Sequence, residues 1–395
     1  MTSSDFGKLL AVYESELLDH VVPWWLQHAM DRECGGILYG IAQDGTVLVE
    51  DKSGWSQGRA LYTFSALYNL VGKRHEWLAA ADHICDFILP IGRENNWQWP
   101  EALHRDGSVR EGPGRIYADG FAIMGLTEYA RATGSEEAIE AALATYRTVR
   151  ERMTVPGPHL DVHFSAPTGV KCHGISMIFS IVFHELGRLL GDAEILQAGH
   201  DHAVQILDHF RKPERKLLLE YTAPDGAELQ VPEGRHVNPG HGIESMWFVM
   251  HIFRDRRERR RIDQAIECLR WTMEACWDEE YGGMFGALEL DGSVPQPDVR
   301  KAMWPHGEAL YALLLAYELC RESWCLEWYE RLHEWTFAHF PDREHGEWRE
   351  YVERDGSVPP EDAQRLPQIH TFFHLPRTLI RCMQVLQRLC DARPL

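Results

Sequence analysis

The sequence lacks long apolar runs, paired-cysteine motifs and glycine-rich phosphate loops. No window approaches the roughly 18 uninterrupted apolar residues of a membrane span, and the first residues, "MTSSDFGKLLAVYESELL", are polar and unlike a secretory signal. The nine cysteines are scattered and include no C-x-x-C pair, which is typical of a reduced, cytoplasmic protein. Neither G-x-x-x-x-G-K-[ST] nor G-x-G-x-x-G occurs, so the sequence indicates no nucleotide site.

Positive charge is also scarce. The 395 residues contain 40 Lys and Arg against 60 Asp and Glu, which gives a net charge of −20. Nucleic acids and anionic membranes attract basic surfaces, so both are excluded as expected partners. The chain is nevertheless 45% hydrophobic, with 14 tryptophans, and can bury a sizeable core. Aromatic residues expected on outer helices favour a homodimer.

Asp-Gly is abundant, and it is a strong signal for a β-hairpin turn because glycine accepts a positive φ. Five Asp-Gly pairs mark the predicted turns, at Asp44-Gly45, Asp106-Gly107, Asp225-Gly226, Asp291-Gly292 and Asp355-Gly356. "RDGSV" stands at 105–109 and again at 354–358. The second interval is about twice the others, and Thr168-Gly169 near its middle fits a sixth, degenerate turn. The sequence therefore predicts six repeats of about 60 residues each.

Each interval has room for two helices, and apolar residues recur at helical spacing within them, as in Leu61, Phe64, Leu67 and Tyr68. We count about twelve helices in six pairs. An open array would leave apolar faces exposed at both ends, so closure into a ring is favoured. The predicted fold is all-α, an (α/α)6 barrel with short β-hairpin connections at one end, formed by one catalytic domain over 1–395.

The predicted inner helices each begin beside a polar or ionisable residue. In a closed barrel these six helix starts face the same end, where their side chains would converge on one cavity. The candidates are Trp55 and Arg59; Tyr117 and Asp119; His173; His241 and Glu244; Trp304, His306 and Glu308; and His374.

"NPGHGIE" at 238–244 is the most informative of these stretches. Residues three apart share a helix face, so Glu244 could orient the His241 imidazole or reach the same ligand. The helix N-terminus disfavours imidazolium and suits a neutral base. Arg59 could grip two adjacent oxygens. The alternative for His241 is a packed or capping histidine. The alternative for Arg59 is an ordinary salt bridge.

A metal site is not expected. His370 and His374 are four residues apart, as in some zinc sites, but Pro376 argues against a regular helix across both, and no carboxylate completes a ligand set.

The chain resembles the N-acylglucosamine 2-epimerase superfamily, which includes cellobiose 2-epimerases and mannose isomerases. The resemblance runs nearly end to end and is carried by "WSQGR" at 55–59, "IYADGFAIMGLTEYA" at 116–130, "NPGHGIE" at 238–244, "WPHGEAL" at 304–310, "HGEW" at 345–348 and "FHLPR" at 373–377. It implies that His241 and His374 are the catalytic pair, that Arg59 grips substrate and that Glu244 is the carboxylate partner. A further family histidine corresponds to His173.

Two stretches depart from the family pattern. Ser176 replaces a residue that is often acidic, and "RLPQIHTFF" at 365–373 replaces a glycine- and lysine-containing segment. Both departures bear on which sugar is bound.

The resemblance and the histidine-rich helix starts predict a sugar 2-epimerase without metal or cofactor, acting through an enediolate on a reducing aldose of the N-acyl-D-glucosamine type. An aldose–ketose isomerase of the mannose/fructose type would use the same histidines. A glycoside hydrolase would need two opposed carboxylates, for which Asp119, Glu244 and Glu308 are candidates. A non-catalytic sugar-binding protein is the remaining alternative.

Overall fold

The computed structural model describes residues 3–162, 169–295, 299–360 and 371–391. The α-helices of this part are α1 (Ser3–Ser15), α2 (Val22–His28), α3 (Gly54–Leu70), α4 (His75–Glu94), α5 (Ile116–Thr133), α6 (Glu136–Arg152), α7 (His173–Leu190), α8 (Ala193–Gln205), α9 (Pro239–Arg256), α10 (Arg259–Cys276), α11 (Met303–Cys320), α12 (Ser323–His339) and α13 (Thr371–Asp391). A π-helical turn, Glu16–Val21, joins α1 to α2.

The odd-numbered helices from α3 to α13 form a closed inner ring. Each packs against the next, and α13 packs against α3. The outer layer is α4, α6, α8, α10 and α12, each lying on the inner helix that precedes it, while α1 lies on α13. The predicted (α/α)6 barrel is therefore confirmed, and the two ends of the described chain meet in one helix pair.

The strands are short and all pair antiparallel. They are β1 (Gly40–Ile41), β2 (Val47–Val49), β3 (Pro100–Leu103), β4 (Val109–Pro113), β5 (Lys171–Cys172), β6 (Arg211–Lys212), β7 (Leu217–Leu218), β8 (Tyr221–Thr222), β9 (His236–Val237), β10 (Leu288–Glu289), β11 (Lys301–Ala302) and β12 (Tyr351–Val352). The pairs are β1–β2, β3–β4, β5–β8, β6–β7, β9–β10 and β11–β12.

The predicted Asp-Gly turns share one geometry. At each of the five, the aspartate Oδ1 accepts the N–H two residues on, as from Asp44 to Thr46 at 2.8 Å and from Asp355 to Ser357 at 2.9 Å. The glycine φ values lie between 81° and 89°, a region that favours glycine. Gly169 has φ 90°; its predicted partner Thr168 lies outside the described residues.

The repeated "RDGSV" forms a turn, and its arginine also pairs with a buried aspartate that binds a lysine. We call this arrangement an ion-pair lock. Buried Asp31 accepts from Lys52 Nζ at 2.8 Å and from Arg105 Nε at 2.9 Å. This lock joins the segment after α2 to the residues that precede α3 and to the next hairpin.

The same lock recurs about 250 residues further on. Asp278 lies 3.2 Å from Lys301 Nζ and accepts from Arg354 Nε at 2.9 Å. The first residue of each "RDGSV" therefore ties successive repeats together.

The inner ring is tightest between α3 and α5. A Cβ placed on Gly58 would lie 2.6 Å from the backbone carbonyl of Phe121, and one on Gly125 would lie 2.5 Å from the Gly58 carbonyl oxygen. Only glycine allows this approach, which brings the starts of α3 and α5 together.

Side-chain caps fix the start of two inner helices. The Ser53 hydroxyl accepts from Ser56 N–H at the start of α3, and Asn238 Oδ1 accepts from His241 N–H at the start of α9. Across the described part of the chain, none of the helices has both the length and the apolar composition of a membrane span.

Candidate active site

His241 is held by a carboxylate at the start of α9. Its Nδ1 lies 3.0 Å from both oxygens of Glu220, and both side chains are buried. Burial acts to lower the pKa of His241, but Glu220 outweighs it and the pKa is raised above the ordinary value. In the same way, burial would raise the pKa of Glu220, but the two imidazoles of His241 and His173 hold it well below the usual range. The pair therefore favours imidazolium beside carboxylate.

His374 is held in a matching way at the start of α13. Its Nδ1 lies 2.7 Å from Glu308 Oε1, and the other oxygen of Glu308 accepts from the indole N–H of Trp247 at 2.7 Å. Because a carboxylate oxygen that also accepts from Arg377 (2.6 Å) has no proton to give, His374 Nδ1 is the donor. Its Nε2 is then the nitrogen left for chemistry.

Arg59 lies against that second nitrogen. Its Nη2 is 3.4 Å from His374 Nε2. With Nδ1 donating to Glu308, a neutral His374 has its lone pair at Nε2, and the nearby Arg59 charge disfavours a proton there. The guanidinium carbon lies 4.1 Å from the Trp55 ring centroid, 4.4 Å from that of Phe121 and 4.7 Å from that of Phe373.

This aromatic cage leaves donors of Arg59 unused. Its Nε and Nη1 are buried and have no hydrogen-bond partner among the described residues. Burial lowers the pKa of Arg59 to about 10, so the group stays charged at neutral pH. An unpaired buried guanidinium is costly, and an oxygen-rich ligand would satisfy it.

Trp304 packs near both histidines. Its ring centroid is 5.9 Å from that of His241 and 5.0 Å from that of His374. A Cβ on Gly240 would lie 2.1 Å from the indole, so that glycine makes room for it. As predicted, His241 and His374 lie near one region, the surroundings of Trp304.

Glu244 has a different partner from the one predicted. Arg377 donates to Glu244 as well as to Glu308, whereas Glu220 holds His241. The i, i+3 argument places Glu244 on the correct helix face, but Arg377, which reaches both carboxylates, orients it. Burial would lower the pKa of Arg377, but Glu308 and Glu244 outweigh it and the pKa is raised.

Two predicted substrate contacts have their polar atoms engaged by the protein. His306 accepts from Met284 N–H at 2.9 Å and donates to the Ala302 carbonyl at 2.7 Å; burial lowers its pKa to about 3. Asp119 accepts from Trp99 N–H at 2.7 Å and from Arg152 at 2.6 Å. These two residues hold backbone and helix ends in place, and their predicted contact with substrate stays a prediction.

His173 packs near His241 and shares its carboxylate. Its Nε2 is 3.0 Å from the Ser245 hydroxyl, and its Nδ1 is 3.7 Å from Glu220. Its ring centroid lies 6.4 Å from that of His241. These contacts give His173 a supporting place in the histidine pair.

Tyr117 and Trp55 belong to the wall around Arg59. The Tyr117 ring packs on Trp55 and Phe121, with centroids 6.5 Å and 5.2 Å away. Burial raises the pKa of the Tyr117 hydroxyl, so the group is neutral at physiological pH.

Sequence reasoning missed Glu220 and Arg377. Glu220 precedes β8, away from every helix start, and no spacing links it to His241. Arg377 stands within "FHLPR", three residues after His374 on the same helix. The spacing that singled out Glu244 could have found Arg377 but not Glu220.

The described residues place Glu244, Glu308 and His374 with ligand atoms within 4.8 Å of one another. Arg377 donates to both carboxylates, so a cation already neutralises the cluster, and the donor set fits a metal ion poorly. His370, the other histidine considered for zinc, lies outside the described residues.

The ring and its site define a class of protein: an (α/α)6 barrel whose inner-helix starts hold two carboxylate-anchored imidazoles beside a caged arginine. The sequence profile of the family described as N-acylglucosamine 2-epimerase (GlcNAc 2-epimerase) matches residues 35–376. The chain belongs to this family of sugar epimerases, which are isomerases.

Similar proteins agree with this assignment. The N-acylglucosamine 2-epimerase of Bos taurus is 32% identical over 394 residues, covering 94% of this chain and 90% of that protein. The cellobiose 2-epimerase of Bacteroides fragilis is 31% identical over 382 residues, covering 74% of this chain and 94% of that protein. The solved structure of cellobiose 2-epimerase from Bacillus thermoamylovorans superposes with a TM-score of 0.81 at 18% identity, covering 96% and 99% of the two chains.

Proposed function

We propose that the protein interconverts N-acyl-D-glucosamine and N-acyl-D-mannosamine by moving the proton at C2 of the open-chain sugar. The observation that carries this proposal is the pair of imidazoles near Trp304, each with Nδ1 on a buried carboxylate. The bovine relative, named for N-acylglucosamine, supports the choice of sugar.

The aldehyde at C1 acidifies the C2–H bond. His374, with a lone pair at Nε2, removes this proton from one face in one direction of reaction. His241, whose raised pKa favours imidazolium, delivers a proton to the opposite face. Two bases are needed because a single base tends to return the proton to the side it came from. In the reverse direction the two residues exchange roles.

Arg59 stabilises the intermediate. Removal of the C2 proton leaves negative charge on the oxygens of an enediolate, and the buried Nε and Nη1 donors of Arg59 have no partner among the described residues. A charge that needs no reorganisation at the moment of reaction is an effective electrostatic catalyst. Glu220, Glu308 and Arg377 orient the histidines and hold their tautomers.

The test is incubation in D2O with N-acetylglucosamine, N-acetylmannosamine, mannose, glucose, fructose and cellobiose, followed by NMR. Deuterium at C2 with formation of the N-acetylated epimer is the expected result. A ketose product would identify an aldose–ketose isomerase, and a cleaved glycosidic bond a hydrolase. Binding without exchange of any sugar would leave only a sugar-binding protein.

We also propose that the whole ring acts as one catalytic domain in a reducing cytoplasm, and that it forms homodimers. The free thiol state of the nine cysteines supports the compartment. Analytical ultracentrifugation of the purified protein tests the oligomeric state.

A further inference from the structure

A second cavity lies at the opposite end of the barrel from the histidines. It has a volume of about 430 Å³ and is lined by the C-terminal halves of the inner helices. We call it the rear cavity; its charged lining is Glu128, Arg131, Glu185, Arg188, Arg254 and Arg381. Four arginines face two glutamates there, in a molecule whose net charge is −20.

The glutamates do not neutralise all four arginines. Arg131 donates to Glu128 and, at 3.0 Å, to Glu185, and Glu185 also lies 3.8 Å from Arg188, so Arg131 and Arg188 share the two carboxylates. Arg188 lies 3.3 Å from Asp255. Among the described residues, neither Arg254 nor Arg381 forms an ion pair with a carboxylate.

His251 adds no negative or positive charge to the cavity. Its Nδ1 accepts from Arg254 Nη2 at 2.9 Å, and its Nε2 lies 2.6 Å from the Tyr311 hydroxyl. Burial, with Arg381 and Arg254 nearby, holds the pKa of His251 well below its ordinary value. Arg254 is therefore oriented by a neutral imidazole and keeps its full charge.

Helix ends account for only part of this arrangement. Arg131, Arg188 and Arg254 lie in the last turns of α5, α7 and α9, where a cation stabilises the negative end of the helix dipole. Arg381 lies in the middle of α13, far from either end of that helix. Its Nε is buried without a partner among the described residues, and its Nη1 reaches only Gln384, at 3.4 Å.

We propose that the rear cavity binds a phosphate dianion, with Arg254 and Arg381 as its principal donors. Guanidinium groups arriving from different helices match a tetrahedral oxyanion. Leu70, Ile181 and Leu189 form an apolar wall beside them, which would accept the organic part of a phosphate ester. The proposal does not depend on the sugar chemistry at the other end of the ring.

The experiment is calorimetric titration of the full chain with inorganic phosphate and, separately, phenyl phosphate, at constant ionic strength in chloride. One saturable site per chain is expected, with phenyl phosphate binding more tightly if the ligand is an ester and equally if it is free phosphate. The double variant Arg254→Gln/Arg381→Gln should weaken binding at least about tenfold, because two charge-assisted hydrogen-bond donors are lost.

Arg388→Gln is the matched control. It removes one positive charge from the same helix at an exposed position paired with Glu318, and binding should be unchanged. Should the double variant fail to fold, the single variants Arg254→Gln and Arg254→Lys keep the test: phosphate should raise the melting temperature of the wild type most, of the lysine variant less and of the glutamine variant least. Absence of saturable binding to the wild type, or equal loss in Arg388→Gln, would overturn the proposal.

Discussion

At the scale of single residues, the two histidines have the same kind of partner at Nδ1 but different groups around the rest of the ring. Both have Nδ1 on a buried glutamate, and Arg59 Nη2 lies 3.4 Å from Nε2 of His374. His241 instead has a second imidazole, His173, sharing its carboxylate. We therefore propose that His374 acts as the base, while the raised pKa of His241 suits it to act as the acid.

Replacing either histidine by asparagine should stop net epimerisation, with a loss of about 10²–10⁴ in rate, because general acid–base catalysis contributes this much. Each variant should still exchange the C2 proton of one epimer slowly, since the remaining histidine can remove a proton and return a deuteron on its own face. NMR in D2O should find opposite epimers labelled by His241→Asn and His374→Asn. Labelling of the same epimer by both would exclude the two-face arrangement.

Glu220→Gln tests the cause of the raised pKa of His241. Without the carboxylate, burial acts unopposed and the pKa falls, so the imidazolium is lost at lower pH. The alkaline limb of kcat against pH should move to lower pH, and activity at neutral pH should drop. A uniform loss at every pH, with the limb in place, would mean that Glu220 only supports the fold.

The same pair affects stability with a defined sign. Because the pKa of His241 is raised in the folded state, its contribution is present at low pH and is lost as the pH rises through that pKa. In Glu220→Gln, where burial lowers the pKa of His241, this dependence should reverse its sign in melting temperatures measured across the pH range.

Sequence reasoning reached the residues that carry chemistry on helix starts but not all those that position them. His241, His374 and Arg59 stand at repeated positions in the chain, so the repeat points to them. Glu220 reaches His241 only because β5 pairs with β8 and brings the residue before β8 to the start of α7. That contact depends on tertiary structure, which no local pattern encodes.

At the scale of elements, the closeness of α3 and α5 rests on two glycines. Gly58→Ala would place a methyl group 2.6 Å from the Phe121 backbone, and overpacking of this kind costs about 1–3 kcal/mol. Gly7→Ala is the matched control, since nothing lies within 4 Å of its Cβ position in α1; it should stabilise the protein by about 0.5–1 kcal/mol. Denaturant unfolding of both variants measures the difference, and a neutral Gly58→Ala would mean that the helices can separate without cost.

Helices and turns are the elements that could be predicted best. Asp-Gly turns follow from local backbone chemistry, and all five adopt the expected positive φ at glycine. His306 and Asp119 show the limit of this reasoning, because a polar residue at a buried helix start can serve the backbone as readily as a ligand. Only the tertiary partners, Met284 and Arg152, distinguish the two roles.

At the scale of the whole molecule, the ion-pair locks join successive repeats. Lys52→Met and Lys301→Met should each lower the free energy of unfolding by about 3–5 kcal/mol, because the buried aspartate loses a partner charge. Exposed Arg110, paired with Asp51 at the surface, provides the control: Arg110→Met should change stability by less than about 1 kcal/mol. Thermal unfolding of the three variants tests this, and three equal effects would contradict a special role for the locks.

Closure of the ring could be predicted from the sequence because six repeats with apolar helix faces have no other way to cover both ends. The ion-pair locks could not be predicted from the sequence, because Asp31 and Asp278 lie about 75 residues before the arginines that they bind. The repeat of "RDGSV" indicates that a structural feature is used twice. In the structure, this feature includes the ion pair of the arginine as well as the turn.

Because α1 packs on α13, the first and last helices of the described chain are neighbours, and this bears on circular permutation of the sequence. In a closed ring of equivalent helix pairs, any pair can come first in the sequence without changing which pairs are neighbours in space. A gene rearranged to begin at any of the six turns, with the old termini joined by a linker, would encode the same circle and the same set of neighbours.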